Sequence, residues 1–493
     1  MDWQEHYKRK LVSADEAVYL VKSGDRVEIS IFPTPTLLPR ALAKRRAELQ
    51  NVETVMPEPV YPMPWFEPGY EDSFSTTLEL HVGMGGAGPV VDEKRADYYP
   101  VLFSLWHKPY IDRPDSAPPI DVFMFTVSPP DRNGYCSFGG HLWNKRVLAR
   151  HAKVTLAEVD ETFIRTHGTN YIHVSEIDRF VENSPKLMSD DEMDQIIRNM
   201  PDEEGRRELR AVSGRIEQER RHDFIPKLAA MDGLTIRRWA QVYGFQSETE
   251  PIALTIGKYV AELIPDGACL QVGGGTPSTL IPGMGVLDDK HDLGVHSEMS
   301  ARGLVDLVRK GVVTGRRKNF HPGKYVVSAL TACTEEEIGF ADHNPAFELY
   351  DASYVVNIAN VAANDNMTSI NSALAIDLTG QITAETVFGG RLIAGTGGQP
   401  ELHMGAISSR GGRAITCLRS TAMGGVVSRI VPQHDAGTAI TVTRGFADYV
   451  VTEYGVASLL GKTFRQRAEE LISIAHPDFR AELRWEAQKL FYP

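Results

Sequence analysis

Glu298 closes the run Asp292-Leu293-Gly294-Val295-His296-Ser297-Glu298-Met299, in which an uncharged, strand-like stretch ends on a carboxylate. Just upstream stands the loop Val272-Gly273-Gly274-Gly275-Thr276-Pro277. A carboxylate can serve as a nucleophile, and backbone N–H groups unobstructed by side chains can hold an oxyanion or a phosphate. Within one strand–loop–helix unit these are the minimum equipment for acyl transfer. Attack on a thioester would give an anhydride that water destroys, so such a site must also exclude water.

Each feature has a plainer reading when taken alone. A glutamate at a strand end is as readily a solvated or salt-bridged acid, and Gly273, Gly274 and Gly275 could form only a tight turn. The loop fits neither G-x-G-x-x-G nor the phosphate-binding P-loop, which argues against a nucleotide site. A second cluster, Ala394-Gly395-Thr396-Gly397-Gly398-Gln399, follows the apolar pair Leu392-Ile393, and two such loops point to a shared anionic pocket. Other polar clusters are Asn364-Asp365-Asn366, His321-Pro322-Gly323-Lys324, Thr452-Glu453-Tyr454-Gly455 and Ala475-His476-Pro477-Asp478. Asn and Asp are ordinary turn formers, and His476 before Pro477 reads as a helix-end cap. Lys324, Arg419 and Arg429 could meet phosphates.

The elements that must carry these residues alternate between helix and strand. Ala14 to Val21 has helical spacing, Ser23-Gly24-Asp25 turns, and Arg26 to Ile31 alternates as a strand. A proline-rich loop at 32–35 precedes a helix at 37–42. The second half repeats the plan: Ile252, Ile256, Val260 and Leu263 share a helix face, Pro265-Asp266-Gly267 turns, and 268–272 is an apolar strand leading to the Gly273 loop and a helix from about Pro277. Leu78-Glu79-Leu80-His81-Val82-Gly83-Met84 resembles 293–299, with Gly83 where the second half has Glu298. Duplication and chance similarity of two such units both remain open. Alternating strands and helices imply mostly parallel sheets, with ligands beyond the carboxyl ends of the strands.

At 493 residues the chain exceeds one compact core, and a formal charge of -13 with pI near 5.6 argues against nucleic-acid binding. Cys136, Cys269, Cys333 and Cys417 form no CxxC pair, so neither a zinc site nor a disulfide framework is indicated. The polar start, Met1 to Lys8, and the lack of any run of about 18 apolar residues give the expectation of a soluble, cytoplasmic protein with no membrane association. Residues 185–250 differ in character, being dense in mixed charge at 189–194 and 215–221. They read as a helical insertion with solvated faces.

Taken in order, several of these segments resemble the class I coenzyme A transferases, in their acetyl-CoA hydrolase/transferase branch. They are 272–277, His296-Ser297-Glu298-Met299, 364–371, Leu378-Thr379-Gly380-Gln381, 395–399, Ser428-Arg429-Ile430-Val431-Pro432, 452–457 and 474–480. The first half agrees through 23–27, 95–98, 127–131, 134–137 and 165–168. The resemblance implies two α/β domains of CoA-transferase fold, 1–184 and 251–493, around the insertion, and a homodimer or higher homo-oligomer. It implies Glu298 as the nucleophile of a ping-pong reaction through a glutamyl-CoA thioester, with acyl-CoA and a small carboxylic acid as partners. Coenzyme A is then a substrate, with no metal and no permanently bound cofactor. Gly273, Gly274, Gly275, Gly395, Gly397 and Gly398 would form the oxyanion and CoA-binding region. Asn364 and Asn366 would border the pocket, and Glu453 would support it.

Two departures stand out. Met423 occupies a position where the family commonly has a lysine thought to help hold CoA, and Leu460 replaces an arginine usual before Gly461-Lys462. Residues 32–36 also break the pattern. An acyl-CoA hydrolase of the same fold, in which water resolves the intermediate, is the nearest alternative expectation, and a non-catalytic CoA-ligand-binding protein is a further one.

Overall fold

The computed structural model describes all residues except 1, 60, 81, 83–85, 116–117, 184–187, 215, 217–220, 222–224, 227, 243–250 and 493. The helix Ala14–Ala17 starts on a Ser13–Glu16 capping box and tightens into a 3-10 turn, Val18–Leu20. Gly24, at φ +82°, then reverses the chain into the strand Arg26–Ile29. The second half uses the same device, from the helix Pro251–Leu263 through Gly267, at φ +78°, into the strand Cys269–Val272.

Each of these strands sits inside a large sheet. The first sheet runs Arg179–Glu182, Val154–Val159, Val122–Val127, Arg26–Ile29, Val52–Met56, Phe74–Leu78, Ala96–Tyr98, and every pair in it is parallel. The second runs Gly455–Ser458, Tyr449–Thr452, Arg413–Cys417, Met367–Ser372, Cys269–Val272, Gly294–Met299, Tyr325–Ala329, Phe347–Leu349, His167–Gly168, and only its first pair is antiparallel. The mixed α/β fold with mostly parallel sheets is as the alternation predicts. Strand interiors such as 122–127, buried on both faces, read as continuous apolar runs for that reason.

The internal repeat holds, with a different register from the one that sequence similarity suggests. Arg26–Ile29 lies between Val52–Met56 and Val122–Val127, as Cys269–Val272 lies between Gly294–Met299 and Met367–Ser372. The counterpart of the Glu298 strand is therefore Val52–Met56, and Phe74–Leu78 answers to Tyr325–Ala329. Arg26 pairs with Glu53 and Cys269 with Gly294, so position 57 matches position 298. Pro57 stands there, and the second half alone carries the acid. Gly83, which local similarity places opposite Glu298, lies outside the described residues, with His81 and Met84. Hydrogen-bond pairing sets register over the whole sheet, whereas a seven-residue likeness between strand ends does not.

The halves are knit together. His167–Gly168 comes from the first half yet forms the edge of the second sheet. Leu142 and Trp143 donate backbone N–H groups to Ser328 O, and Ala352 N–H donates to Trp143 O. In the insertion, the helices Asp190–Asn199, Glu203–Ser213 and Gly233–Val242 expose charge on one side. On the other they bury Met193, Ile197, Leu209, Val212 and Ile236 in a core continuous with the first half. Of the second charged stretch, residues 215 and 217–220 lie outside the described residues.

Candidate active site

Two glycine loops and one carboxylate meet at the carboxyl ends of the second sheet. The first loop leaves Val272 over a buried amide network. Gln271 Nε2–H donates to Asn371 Oδ1 (3.0 Å), and Asn371 Nδ2–H donates to Gln271 Oε1 (2.9 Å) and Ser369 Oγ (2.8 Å). Gly273 rests on Asn371 so closely that a Cβ there would collide with Oδ1. A Cβ on Gly274 would stand 2.9 Å from Met299 Sδ, and one on Gly275 2.8 Å from Ser372 Cβ. Gly273 and Gly275 thus require glycine on steric grounds, which a tight turn alone does not demand, whereas at Gly274 the flexible Met299 side chain could give way. Ser278 Oγ lies within hydrogen-bonding distance of Gly273 O (3.1 Å), Gly275 O (2.8 Å) and Ser372 Oγ (2.9 Å), pinning the loop from below. The helix expected from about Pro277 is a 3-10 helix, Ser278–Met284. Pro282 inside it lacks the N–H that an α-helical ladder needs.

Glu298 projects from the strand Gly294–Met299 and is partly exposed at its outer edge. Its carboxylate lies against Gly398, whose backbone N–H donates to it, and a Cβ on Gly398 would collide with Oε2. Burial of the carboxyl, with the Glu401 charge beside it, pushes the Glu298 pKa up to about 8, and the Gly398 hydrogen bond opposes this only in part. A desolvated carboxylate of raised basicity is a better nucleophile than one in water.

The loop 394–399 is held by residues of the first half of the chain. Gly395 N–H donates to Leu80 O, Thr396 Oγ1 donates to Val101 O (3.2 Å), and a Cβ on Gly395 would strike the Tyr98 hydroxyl. Gly397 takes a left-handed φ of +56° and brings Gly398 round to Glu298. The site therefore stands at the seam between the first-half segment 79–101 and the second sheet.

The remaining candidates lie elsewhere. Asn364 and Asn366 precede the strand Met367–Ser372 and so sit at its amino end, opposite the end that carries Gly273. Asn364 Oδ1 accepts from Phe320 N–H, and Asn366 exchanges backbone bonds with Arg410 and Cys269. The pair shapes a loop at the far edge of the sheet and does not border Glu298. The family resemblance sets them beside the pocket, whereas the direction of the strand puts them at the end remote from Glu298. Lys324 likewise ion-pairs with Glu348 (3.3 Å) before the strand Tyr325–Ala329.

Glu453 is at a carboxyl end, following Tyr449–Thr452, where it accepts from Ser420 N–H (2.9 Å) and Ser420 Oγ. It thereby fixes the base of a hairpin, Thr421–Ala422 with Val427–Ser428, that carries Met423. Arg429, flanked by Arg419 and Glu453, donates to Ala373 O (3.3 Å). His476 accepts from Asp478 N–H as a cap, as expected. His296, fully buried and bonded to Val355 O (2.8 Å), is held neutral by burial. None of the four cysteines is in a disulfide.

Sequence patterns missed Gln271, Ser278, Ser372, Ser104 and Glu401. Each acts through a partner remote in sequence, and Gln-x-Gly-Gly-Gly was the single local hint. Among the described residues no group of three or more His, Cys, Asp or Glu is arranged to hold a metal ion, and no helix is long and apolar enough to cross a membrane. A surface cavity of about 440 Å³ lined by Arg444, Gly445, Lys462, Thr463, Phe464 and Arg467 shares no residue with the Glu298 site.

Comparison with known proteins identifies the family. The profile of the acetyl-CoA hydrolase/transferase N-terminal domain matches residues 1–57, and that of the C-terminal domain matches 334–487. The chain is 37% identical over 493 residues to the 4-hydroxybutyrate coenzyme A transferase of Clostridium kluyveri, covering 100% of both chains. It is 33% identical to the succinyl-CoA:cyclohexane-1-carboxylate CoA transferase of Geobacter metallireducens, over 99% of this chain and 97% of the other. The crystal structure of 4-hydroxybutyrate CoA-transferase from Porphyromonas gingivalis superposes with a TM-score of 0.70 at 30% identity, over 99% of this chain and 100% of that one. The chain belongs to the acetyl-CoA hydrolase/transferase family and is an enzyme of the CoA-transferase class.

Proposed function

We propose that this enzyme moves coenzyme A between an acyl-CoA and a small carboxylic acid through a glutamyl-CoA thioester on Glu298. The observation that carries the reading is the Glu298 carboxylate set against the Gly398 N–H and raised in basicity, at the carboxyl end of the strand that neighbours the one leading into the Gly273 loop. Glu298 attacks the thioester carbonyl, the C–S bond breaks, and an acyl-glutamyl anhydride and CoA thiolate result. The thiolate attacks the glutamyl carbonyl and releases the acyl carboxylate. An acceptor carboxylate then attacks the glutamyl thioester, giving a second anhydride, and the expelled thiolate takes the new acyl group and frees Glu298.

Each addition places negative charge on an oxygen, and donors positioned beforehand lower such barriers by roughly 3 kcal/mol apiece. Backbone N–H groups at 274, 275 and 398 are the groups suited to this, whereas that of Gly273 is already donated to Ile370 O (2.8 Å). Coenzyme A enters as a substrate, and relatives that are named for different acids leave the acyl partner to be found by assay. By family likeness we take the working form to be a homo-oligomer in the cytoplasm.

Incubation with acyl-CoA followed by borohydride should reduce the thioester at Glu298, visible by peptide mass, and Glu298→Ala should abolish the modification. Free CoA appearing equally fast with and without any acid acceptor would sink transfer in favour of hydrolysis. An unmodified wild type that binds CoA tightly would leave a binding protein.

A further inference from the structure

One short turn of the first half grips an acid from each half of the chain. The 3-10 turn Phe103–Leu105 presents the Ser104 N–H to both carboxylate oxygens of Glu401, each at 3.2 Å. Trp106, stacked on Phe103 at 5.4 Å, donates its indole N–H to Glu79 Oε1 at 2.7 Å. Glu79 immediately precedes Leu80, whose carbonyl holds Gly395 of the second glycine loop. Glu401 lies in the first turn of the helix Gln399–Ser408, directly after the Gly398 that touches Glu298. It is almost wholly buried, at 1% exposure, with no cationic partner among its contacts.

A buried carboxylate facing another carboxylate destabilises the fold unless something else holds it. The Ser104 N–H and the amino end of its own helix are what hold this one. From this geometry we infer that Glu401 is a positioning residue for Glu298, docking the Phe103–Trp106 turn against the helix that opens at Gly398 and setting a like charge beside the nucleophile. The inference rests on the glutamyl-thioester reading above.

Two consequences follow. Docking of the turn ties the first half to the helix that follows Gly398, as Leu80 O ties it to Gly395. The like charge raises the basicity of Glu298, and Glu401 itself, pushed up to about 7 by burial, is largely ionised above neutral pH. Glu401 is the charged group that acts on Glu298, and the Phe103 and Ser104 groups, all uncharged, are those that act on Glu401.

The test is the pH dependence of thioester formation in the half-reaction with acyl-CoA alone, read by borohydride trapping. Glu401→Gln keeps an oxygen for the Ser104 N–H but removes the charge, so the midpoint of the rate should move to lower pH by about one unit. Glu401→Asp keeps the charge but shortens the reach to Ser104, so its midpoint should stay near that of wild type while the rate falls. Equal midpoints in wild type and Glu401→Gln would overturn the proposal, leaving Glu401 a structural acid. Absence of trapped thioester in wild type would overturn the glutamyl-thioester reading and this proposal with it, an outcome distinct from an unmoved midpoint.

Discussion

Gly398 and Glu298 are in such close contact that no side-chain carbon fits between them: a Cβ on Gly398 would fall on Oε2 of the carboxylate. The backbone of Gly398, at φ −84° and ψ −5°, would accept alanine without strain, so glycine is required there only by the neighbouring acid. Gly398→Ala should therefore displace Glu298 from the N–H that holds it and leave the rest of the fold in place. We expect kcat/KM to fall by about a hundredfold, the loss of roughly one oxyanion-type contact, with a melting temperature close to that of wild type. Steady-state kinetics beside thermal unfolding checks this, and a parallel collapse of stability would refute it.

The raised pKa of Glu298 fixes a sign for both activity and stability. The nucleophile must be ionised, so the rate of thioester formation should climb as pH passes through about 8. Stability runs the other way. Between the ordinary carboxyl value of 4.5 and about 8, the native state holds a proton that the unfolded state has lost, so native stability declines as pH rises across that window. Glu298→Gln removes the penalty. It should be inactive yet more stable than wild type, by on the order of 2 kcal/mol at pH 8 once residual solvent screening is allowed for. The difference should vanish near pH 4.5 and level off above 8, as followed by denaturant melts at several pH values.

Beneath the first loop, Asn371 joins Gln271 and Ser369 in a closed set of buried amide and hydroxyl bonds. Asn371→Leu conserves volume but takes the acceptor from Gln271 Nε2–H and leaves Gln271 Oε1 with Ser369 Oγ alone. Each buried group so orphaned costs roughly 1–3 kcal/mol. Because Gly273 rests directly on Asn371, the variant should lose activity as well as stability, and more than the distance of Asn371 from the carboxylate would suggest. Thermal unfolding with thioester trapping measures both. Unchanged trapping in a clearly destabilised protein would show that the loop holds its shape without the network.

How far the sequence reveals the site depends on whether a residue acts locally. Glu298, the two glycine loops and the turn glycines at 24 and 267 are visible as patterns, since strand, loop and helix follow one another within a few residues. The Pro57–Glu298 correspondence is not, because it is defined by pairing across the sheets. Asn364 and Asn366 enter the expected site through the family resemblance, and strand direction, which only the sheet reveals, puts them at the far end of the strand. Glu401 and Ser104 meet across nearly three hundred residues, and no spacing in the chain announces the contact. The charged insertion looked solvated because its apolar stripe is sparse, yet that stripe completes the first-half core.

Met423 tests whether the departure from the family pattern limits the CoA side of the site. It is 75% exposed at the tip of the Thr421–Ser428 hairpin, in a left-handed conformation at φ +51°, between Ala422 and the positive-φ Gly424. The hairpin's base is fixed by Ser420 and Glu453, so a longer side chain at the tip should leave the strands undisturbed. Met423→Lys would add a cation where the resemblance anticipates one. At so exposed a position a charge-assisted contact to acyl-CoA is worth about 1 kcal/mol, which corresponds to a KM for acyl-CoA about fivefold lower. The gain should fade as salt is raised, since exposed charges are screened over about 10 Å at 0.1 M. With kcat and the position of the pH limb unchanged, the lysine would act on binding alone. A KM indifferent to the substitution at low salt would place the hairpin tip away from the bound substrate, with Met423 then a neutral replacement.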